Sequence, residues 1–282
     1  MAIRIFTDSS CDLPPQWIKE KGIHIVPLKI SFGNETFLDR VNLSVEQFYN
    51  KMRNYHELPK TAAPSPHDYQ ELFEKVMEPG DDAIVISLSS ALSSTYHSAK
   101  LAVQMFQEEH SDHRMEVFDS KNGSIGLGLI VFQLAKMSEE GKSFQEIIEK
   151  APVLIKNTFT IVLLETIENA VKGGRVDRVK GMIASMLNIK VLLHVSQEGT
   201  VEILDKARGS KNALKRFLDL VEEFGGNFEE KVLAVAHSNC EEKASQVKQM
   251  LEEKYKTAKV FMTEIGPTIG TYASEGGLLI SF

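Results

Sequence analysis

The sequence has little that would tie it to an oxidising compartment, a membrane or nucleic acid. Cysteine is scarce: 2 residues in 282, Cys11 and Cys240. That is neither the density of a disulfide framework nor the spacing of a metal site. Long apolar runs are absent; stretches such as residues 160–164 are far too short to cross a bilayer. Positive charge is in deficit, the formal net charge being -7. The balance argues against nucleic acid or an anionic membrane surface as the main partner. Basic residues gather only locally, over 172–180 and 206–216. The chain enters a strand pattern at Met1-Ala-Ile-Arg-Ile-Phe without a signal-peptide layout, so a cytoplasmic location is expected.

Catalytic signatures are missing as well. There is no Gly-x-Ser-x-Gly elbow to activate a serine, and no Gly-x-x-x-x-Gly-Lys loop to cradle phosphate. Gly126-Leu-Gly128 falls inside a helical pattern rather than at a strand–helix turn, a weak cofactor signal. Thr7-Asp8-Ser9-Ser10 follows a strand as an aspartyl-phosphate nucleophile would, but Ser10 stands where the second acid is needed. His97 lies four residues beyond Ser93 without a third group to orient it, so it reads as an ordinary helix histidine. His110-x-x-His113 has only Asp112 nearby and reads as solvated loop. No catalytic constellation survives, and no cofactor or metal is expected.

What is present is a strand–helix alternation with hydroxyls at the strand ends. Residues 83–88 form a short apolar run with β-branched members, the pattern of a buried strand. Six hydroxyl residues fall within positions 87–95, among them Ser87, Ser93, Ser94 and Thr95. A helical pattern then begins, with Ala99, Val103 and Phe106 on one face. Such a junction offers free backbone N–H groups and the positive end of a helix dipole to an anion, although N-capping alone accounts for isolated cases. Strands at 3–6 and 115–118 also end in polar clusters, at Thr7, Ser9 and Ser10 and at Asp119-Ser120. In an open α/β sheet these ends share one rim, the usual place for a ligand. Thr61 opens a Pro-rich turn at 60–66 and joins the set of neutral donors, which suit binding better than turnover.

The pattern changes near residue 155. Residues 24–32 and 35–38 form a hairpin pattern around Gly33-Asn34 inside the first half. After 155, strands at 190–196 and 200–205 form another hairpin, and 266–270 reads as loop. The expected fold is therefore α/β with two domains. Residues 1–155 form a Rossmann-like parallel domain with a hairpin insertion near 24–58, and 156–282 a smaller α+β domain with a mixed or antiparallel sheet.

Taken together and in order, several pieces resemble the DegV family of bacterial fatty-acid-binding proteins. They are Thr7-Asp-Ser-Ser-Cys-Asp-Leu-Pro14, Pro27-Leu-Lys-Ile-Ser-Phe-Gly33, Thr61-Ala-Ala-Pro-Ser-Pro66 and Ser87-Leu-Ser-Ser-Ala-Leu-Ser-Ser-Thr-Tyr96. Asp119-Ser120, Gly173-Gly-Arg175, Lys206-Ala-Arg208 and Gly266-Pro-Thr-Ile-Gly270 complete the series. The resemblance implies a long-chain fatty acid such as palmitate in a tunnel between the domains. It places the carboxylate on Thr61 and Ser93, with Ser94 beside them, and the strand-end hydroxyls Thr7, Ser9, Ser10 and Ser120 read above are expected on the rim of that site. It further implies a non-catalytic lipid carrier that presents the acid to a fatty acid kinase subunit, with Arg208 and Arg175 on the partner side. Where the family motif has a histidine, this chain has Tyr272, a phenol that can donate to a carboxylate but cannot become cationic near neutral pH. A small-molecule phosphotransferase subunit and a lipid-responsive regulator are the alternatives from other functional classes.

Overall fold

The structure is a computed structural model that describes residues 2–176, 188–226, 228, 232–256 and 259–282. Of the first basic cluster read from the sequence, residues 177–180 lie outside the described residues.

The N-terminal half carries β1 (Ile3–Asp8), α1 (Pro15–Glu20), β2 (Ile23–Val26), β3 (Lys29–Phe32), β4 (Glu35–Leu38) and α2 (Val45–Asn54). It continues through β5 (Lys60–Ala62), α3 (Pro66–Val76), β6 (Asp82–Ser87), α4 (Thr95–Glu109) and β7 (Met115–Asp119). A four-stranded parallel sheet has the order β2-β1-β6-β7. All of β6 is buried, as a central parallel strand covered on both faces should be. On one face, Phe6, Val26 and Val85 meet Tyr69 and Phe73 of α3 and Ala99, Val103 and Phe106 of α4.

The strand expected over 24–32 is two strands. Pro27 has no N–H for a ladder, and at that point the chain leaves the parallel sheet. β3 pairs instead with β4 and β5 in a small antiparallel sheet of order β4-β3-β5. The expected rigid turn at 60–66 thus contributes a strand, and its pairing sets Thr61 opposite Ile30.

The second half comprises α5 (Ser124–Glu139), α6 (Phe144–Asn157), β8 (Thr160–Leu163), α7 (Glu168–Lys172), β9 (Ile189–Val195), β10 (Val201–Arg208) and α8 (Ser210–Gly225). β11 (Val232–His237), α9 (Glu241–Lys254), β12 (Lys259–Glu264), α10 (Pro267–Ala273) and β13 (Leu278–Ser281) complete it. The six-stranded mixed sheet runs β10-β9-β8-β13-β11-β12, with β11 and β12 parallel and the other pairs antiparallel. Residues 266–270, expected as loop, mostly belong to α10. Pro267 occupies its first turn, where the missing N–H would have no partner inside the helix.

Helix α5 lies between the two large sheets, against β1 and β6 on one side and β11 and β13 on the other. That position explains why Ile125–Val131 is apolar all round, including the residues between the usual helical positions. Its core is shared: Ile5 and Ile84 from the parallel sheet and Leu193 and Leu279 from the mixed sheet belong to one buried cluster with Ile130 and Leu134. Among the described residues no helix is long and apolar enough to cross a membrane.

Candidate functional site

A pocket lies against the inner face of the six-stranded sheet, with an accessible volume of about 110 Å³. Strand alternation builds its long wall. On β8, Leu163 turns toward the outer helices, whereas Val162 faces inward and Leu164, just beyond the strand, lines the pocket. Val162 pairs with Leu193 on one side and Leu279 on the other, so three apolar side chains stand in a row across β9, β8 and β13. Leu28, Leu88 and Leu92 close the space from the N-terminal half, and Ile269 and Ala273 of α10 close it from above.

One part of this wall is polar. Thr61 Oγ1 and the Tyr272 hydroxyl are 2.6 Å apart and share one hydrogen bond. The Arg175 guanidinium stacks on the Tyr272 ring, 4.9 Å from its centroid. Arg175 is itself oriented by two carbonyls, donating from Nη1 to Gly173 at 2.6 Å and from Nε to Leu92 at 3.3 Å. Ser93 Oγ lies 2.8 Å from Thr95 Oγ1 and accepts the Thr95 N–H at 3.3 Å. Thr61, Ser93, Arg175 and Tyr272 all line the pocket. The ring of Tyr272 needs Gly173 beneath it, because a Cβ there would lie 2.3 Å from Cε1.

Other hydroxyls on the wall are bonded to the protein. Ser124 donates to Asp12 at 2.5 Å, and Thr160 donates to Asn122 Oδ1 at 2.8 Å. Thr268 is held by Asp39. Aliphatic walls and a few neutral donors beside Arg175 can receive a molecule that is apolar along its length and anionic at one end.

Not all the residues singled out in the sequence come together here. Ser94 is exposed at the start of α4 and does not line the pocket. Thr7, Ser9, Ser10 and Ser120 are buried at the strand ends, also outside the lining. Ser9 donates to Asp39, Ser10 to Asp8 and Ser120 to the Asn122 carbonyl. Asp8 is a structural acceptor, taking the Ser10 N–H and hydroxyl and the Leu88 N–H, and burial raises its carboxyl above the usual range. Arg208 is exposed at the end of β10 and is not part of the lining. His97 is exposed. His113, expected in solvated loop, is buried and bonded through Nδ1 to the Asp81 carbonyl at 2.7 Å. His110 stacks on Phe106 and meets Glu74. With Glu109 these form the group of metal-ligand spacing among the described residues, largely exposed and remote from the pocket lining. Sequence reasoning missed the support of α10 by Asp39 and Arg40, for which the only signal was their place between a strand and a capped helix.

A mixed α/β chain with an apolar pocket and a polar patch at Thr61, Tyr272 and Arg175 has the architecture of a protein for an amphipathic small molecule. The chain belongs to the DegV family, whose model, described as an uncharacterised protein family, matches residues 2–282. A DegV domain-containing protein from Caldanaerobacter subterraneus subsp. tengcongensis is 32% identical over 280 residues, covering 99% of this chain and 98% of the relative. A DegV family protein from Eubacterium eligens, solved loaded with heptadecanoic acid, superposes with a TM-score of 0.88 at 30% identity, with 99% of each chain covered. The Streptococcus pneumoniae Fatty Acid Kinase (Fak) B3 protein, solved loaded with linoleic acid, gives a TM-score of 0.88 at 29% identity. That match covers 100% of this chain and 99% of the other.

Proposed function

We propose that this protein binds a long-chain fatty acid such as palmitate without transforming it. The carboxylate sits among Thr61, Ser93 and Tyr272 beside Arg175, and the acyl chain lies along Val162, Leu193 and Leu279. The observation that carries this reading is the pocket's uneven polarity: aliphatic walls with one cluster of neutral donors beside the Arg175 guanidinium, the one cation of the lining among the described residues. Burying ~14 methylenes at about 0.8 kcal/mol each contributes on the order of 11 kcal/mol. Lost translational freedom and chain ordering offset at least ~4 kcal/mol of that. The tail therefore supplies affinity, while the hydroxyls choose the head group. To receive the acid, Tyr272 and Thr61 turn their shared hydrogen bond outward to the carboxylate. Ser94 stands outside this first contact, and Thr7, Ser9, Ser10 and Ser120 brace the strand ends behind it. On this reading residues 1–155 and 156–282 are the two domains that enclose the ligand.

Calorimetric titration with palmitate and with its methyl ester tests the head-group assignment. The ester keeps the tail but loses the charge, and hydrogen bonds to charged groups are worth about 1.5–3 kcal/mol. Binding of the ester weaker by roughly tenfold or more is expected, and equal affinities contradict the proposal.

The likeness to a fatty acid kinase B protein favours one extension: the bound acid is presented to a kinase catalytic subunit. Arg208, exposed and outside the pocket lining, then lies on the docking face. Arg208→Glu is expected to leave fatty-acid affinity unchanged and to abolish phosphorylation by a fatty acid kinase catalytic subunit. Undiminished phosphorylation contradicts that surface.

A further inference from the structure

Two adjacent glycines end α7, and the backbone accounts for only one of them. Gly174 has φ of 73°; its N–H donates to the Val171 carbonyl at 3.0 Å, and the Arg175 N–H donates to the Ala170 carbonyl at 3.0 Å. This is a Schellman turn, whose left-handed position favours glycine. Gly173 precedes it with φ -74° and ψ -11°, ordinary helical backbone in which alanine is the better residue. What Gly173 accommodates is a ring. A Cβ there would lie 2.3 Å from Tyr272 Cε1 and 2.6 Å from Cδ1. The turn also carries Arg175 back to Gly173, whose carbonyl accepts from Nη1 at 2.6 Å. The guanidinium comes to lie 4.9 Å from the centroid of the same ring, and its Nε donates to the carbonyl of Leu92, next to Ser93. Gly173 thus meets both the tyrosine and the arginine of the polar patch.

We propose that Gly173 is a specificity-determining residue for the head-group end of the pocket: by seating the Tyr272 ring it makes that end prefer a free carboxylate to a neutral head group. Carbon atoms rest about 3.5–4.0 Å apart, so any side chain at 173 drives the ring back by ~1 Å or more. The ring turns about its side-chain bonds more readily than the hydrogen-bonded end of α7 shifts. Once displaced, the Tyr272 hydroxyl leaves Thr61, 2.6 Å away in the seated position, and Arg175 loses its stacking surface. Donors then no longer converge where the carboxylate is placed. Hydrogen bonds to a charged group are the stronger ones, so an acid suffers more from this than its ester does. The aliphatic row of Val162, Leu193 and Leu279 is built on other elements and is left intact. The seating of the ring does not depend on what the pocket holds; the head-group preference rests on the fatty-acid reading.

Calorimetric titration of Gly173→Ala with palmitate and with its methyl ester tests the preference. Affinity for the acid is expected to fall about tenfold, the worth of one charge-assisted hydrogen bond, and affinity for the ester to fall less. The acid-to-ester ratio then drops toward one. In the Tyr272→Ala background there is no ring to displace, and Gly173→Ala is expected to change neither affinity. Equal losses for acid and ester, an unchanged acid affinity or a loss that persists in Tyr272→Ala overturns the proposal. Should Gly173→Ala fail to fold, the double variant with Tyr272→Ala decides: recovery of the fold supports the seat, and continued failure overturns it.

Fluorine NMR of the ligand-free full chain labelled with 3-fluorotyrosine separates the two readings. The Tyr272 resonance, identified by its absence from Tyr272→Phe, is expected to move in Gly173→Ala, and an unmoved resonance overturns the proposal. If it moves while palmitate never binds the wild type, the seat stands and the ligand assignment falls.

Discussion

Replacing Gly126 by valine is expected to destabilise the protein by roughly 3 kcal/mol or more, as severe overpacking of a core does. A Cβ at this position would lie 2.0 Å from Asn122 Oδ1 and 2.4 Å from Thr160 Oγ1. Those atoms are hydrogen-bonded to each other, and Thr160 continues to Ser281 at 2.8 Å. The added methyls would therefore separate α5 from β8 and β13 and break a buried polar chain as they did so. Alanine provides the sharper discrimination. Helix propensity alone would make Gly126→Ala stabilising by about 1 kcal/mol. The contacts make it destabilising, because neither backbone nor bonded side chains can withdraw cheaply. Urea denaturation decides between them: a lowered midpoint is expected for alanine and a still lower one for valine. A raised midpoint for Gly126→Ala would contradict the packing argument.

Thr61→Ala and Ser93→Ala are each expected to weaken fatty-acid binding by about 1–3 kcal/mol, the cost of leaving a buried acceptor short of a donor. The two are not equivalent. Thr61 also holds the Tyr272 hydroxyl at 2.6 Å, so its loss removes one donor and releases another. Ser93 is shared with Thr95, a second hydroxyl already within hydrogen-bond distance. Thr61→Ala should accordingly have the larger effect. Combined with Tyr272→Phe it should be non-additive, as expected for side chains in direct contact. Displacement of a fluorescent fatty acid measures all three. Unchanged affinity in both single variants would put the carboxylate elsewhere in the pocket.

Much of the fold is legible in the sequence because local and tertiary preferences agree. Ser44 and Ser143 open helices with complete capping boxes, and β6, apolar over 83–86, is buried throughout. The failures fall where punctuation residues are overridden by position. Pro267 begins a helix rather than ending one. Pro27 divides an alternating run into strands of two different sheets. Thr61 enters a strand because β3 lies beside it. Around the pocket, Thr61, Ser93, Arg175 and Tyr272 come together from widely separated stretches, and no spacing rule joins them. Family resemblance grouped Thr61, Ser93 and Tyr272, but it put Arg175 on the partner side, whereas its guanidinium lies on the Tyr272 ring in the pocket lining. The shared-rim argument, by contrast, took Thr7, Ser9, Ser10 and Ser120 as ligand-facing. Their hydroxyls sit at the strand ends but below the surface, and those of Ser9, Ser10 and Ser120 bond to Asp39, Asp8 and the Asn122 carbonyl. Hydroxyls at strand ends mark where a site can form without saying which of them turn inward. Asp39 and Arg40 carried no signal beyond their place between a strand and a capped helix, since their partners in 264–268 are reached only through the tertiary fold.

Native mass spectrometry of the purified full chain, followed by organic extraction of whatever dissociates, tests the central claim most directly. A one-to-one mass increment that resolves into long-chain fatty acids is the predicted result, and it also reports the preferred chain. A mass equal to the polypeptide alone, unchanged after incubation with fatty acids, would contradict the account and assign the pocket to a different ligand.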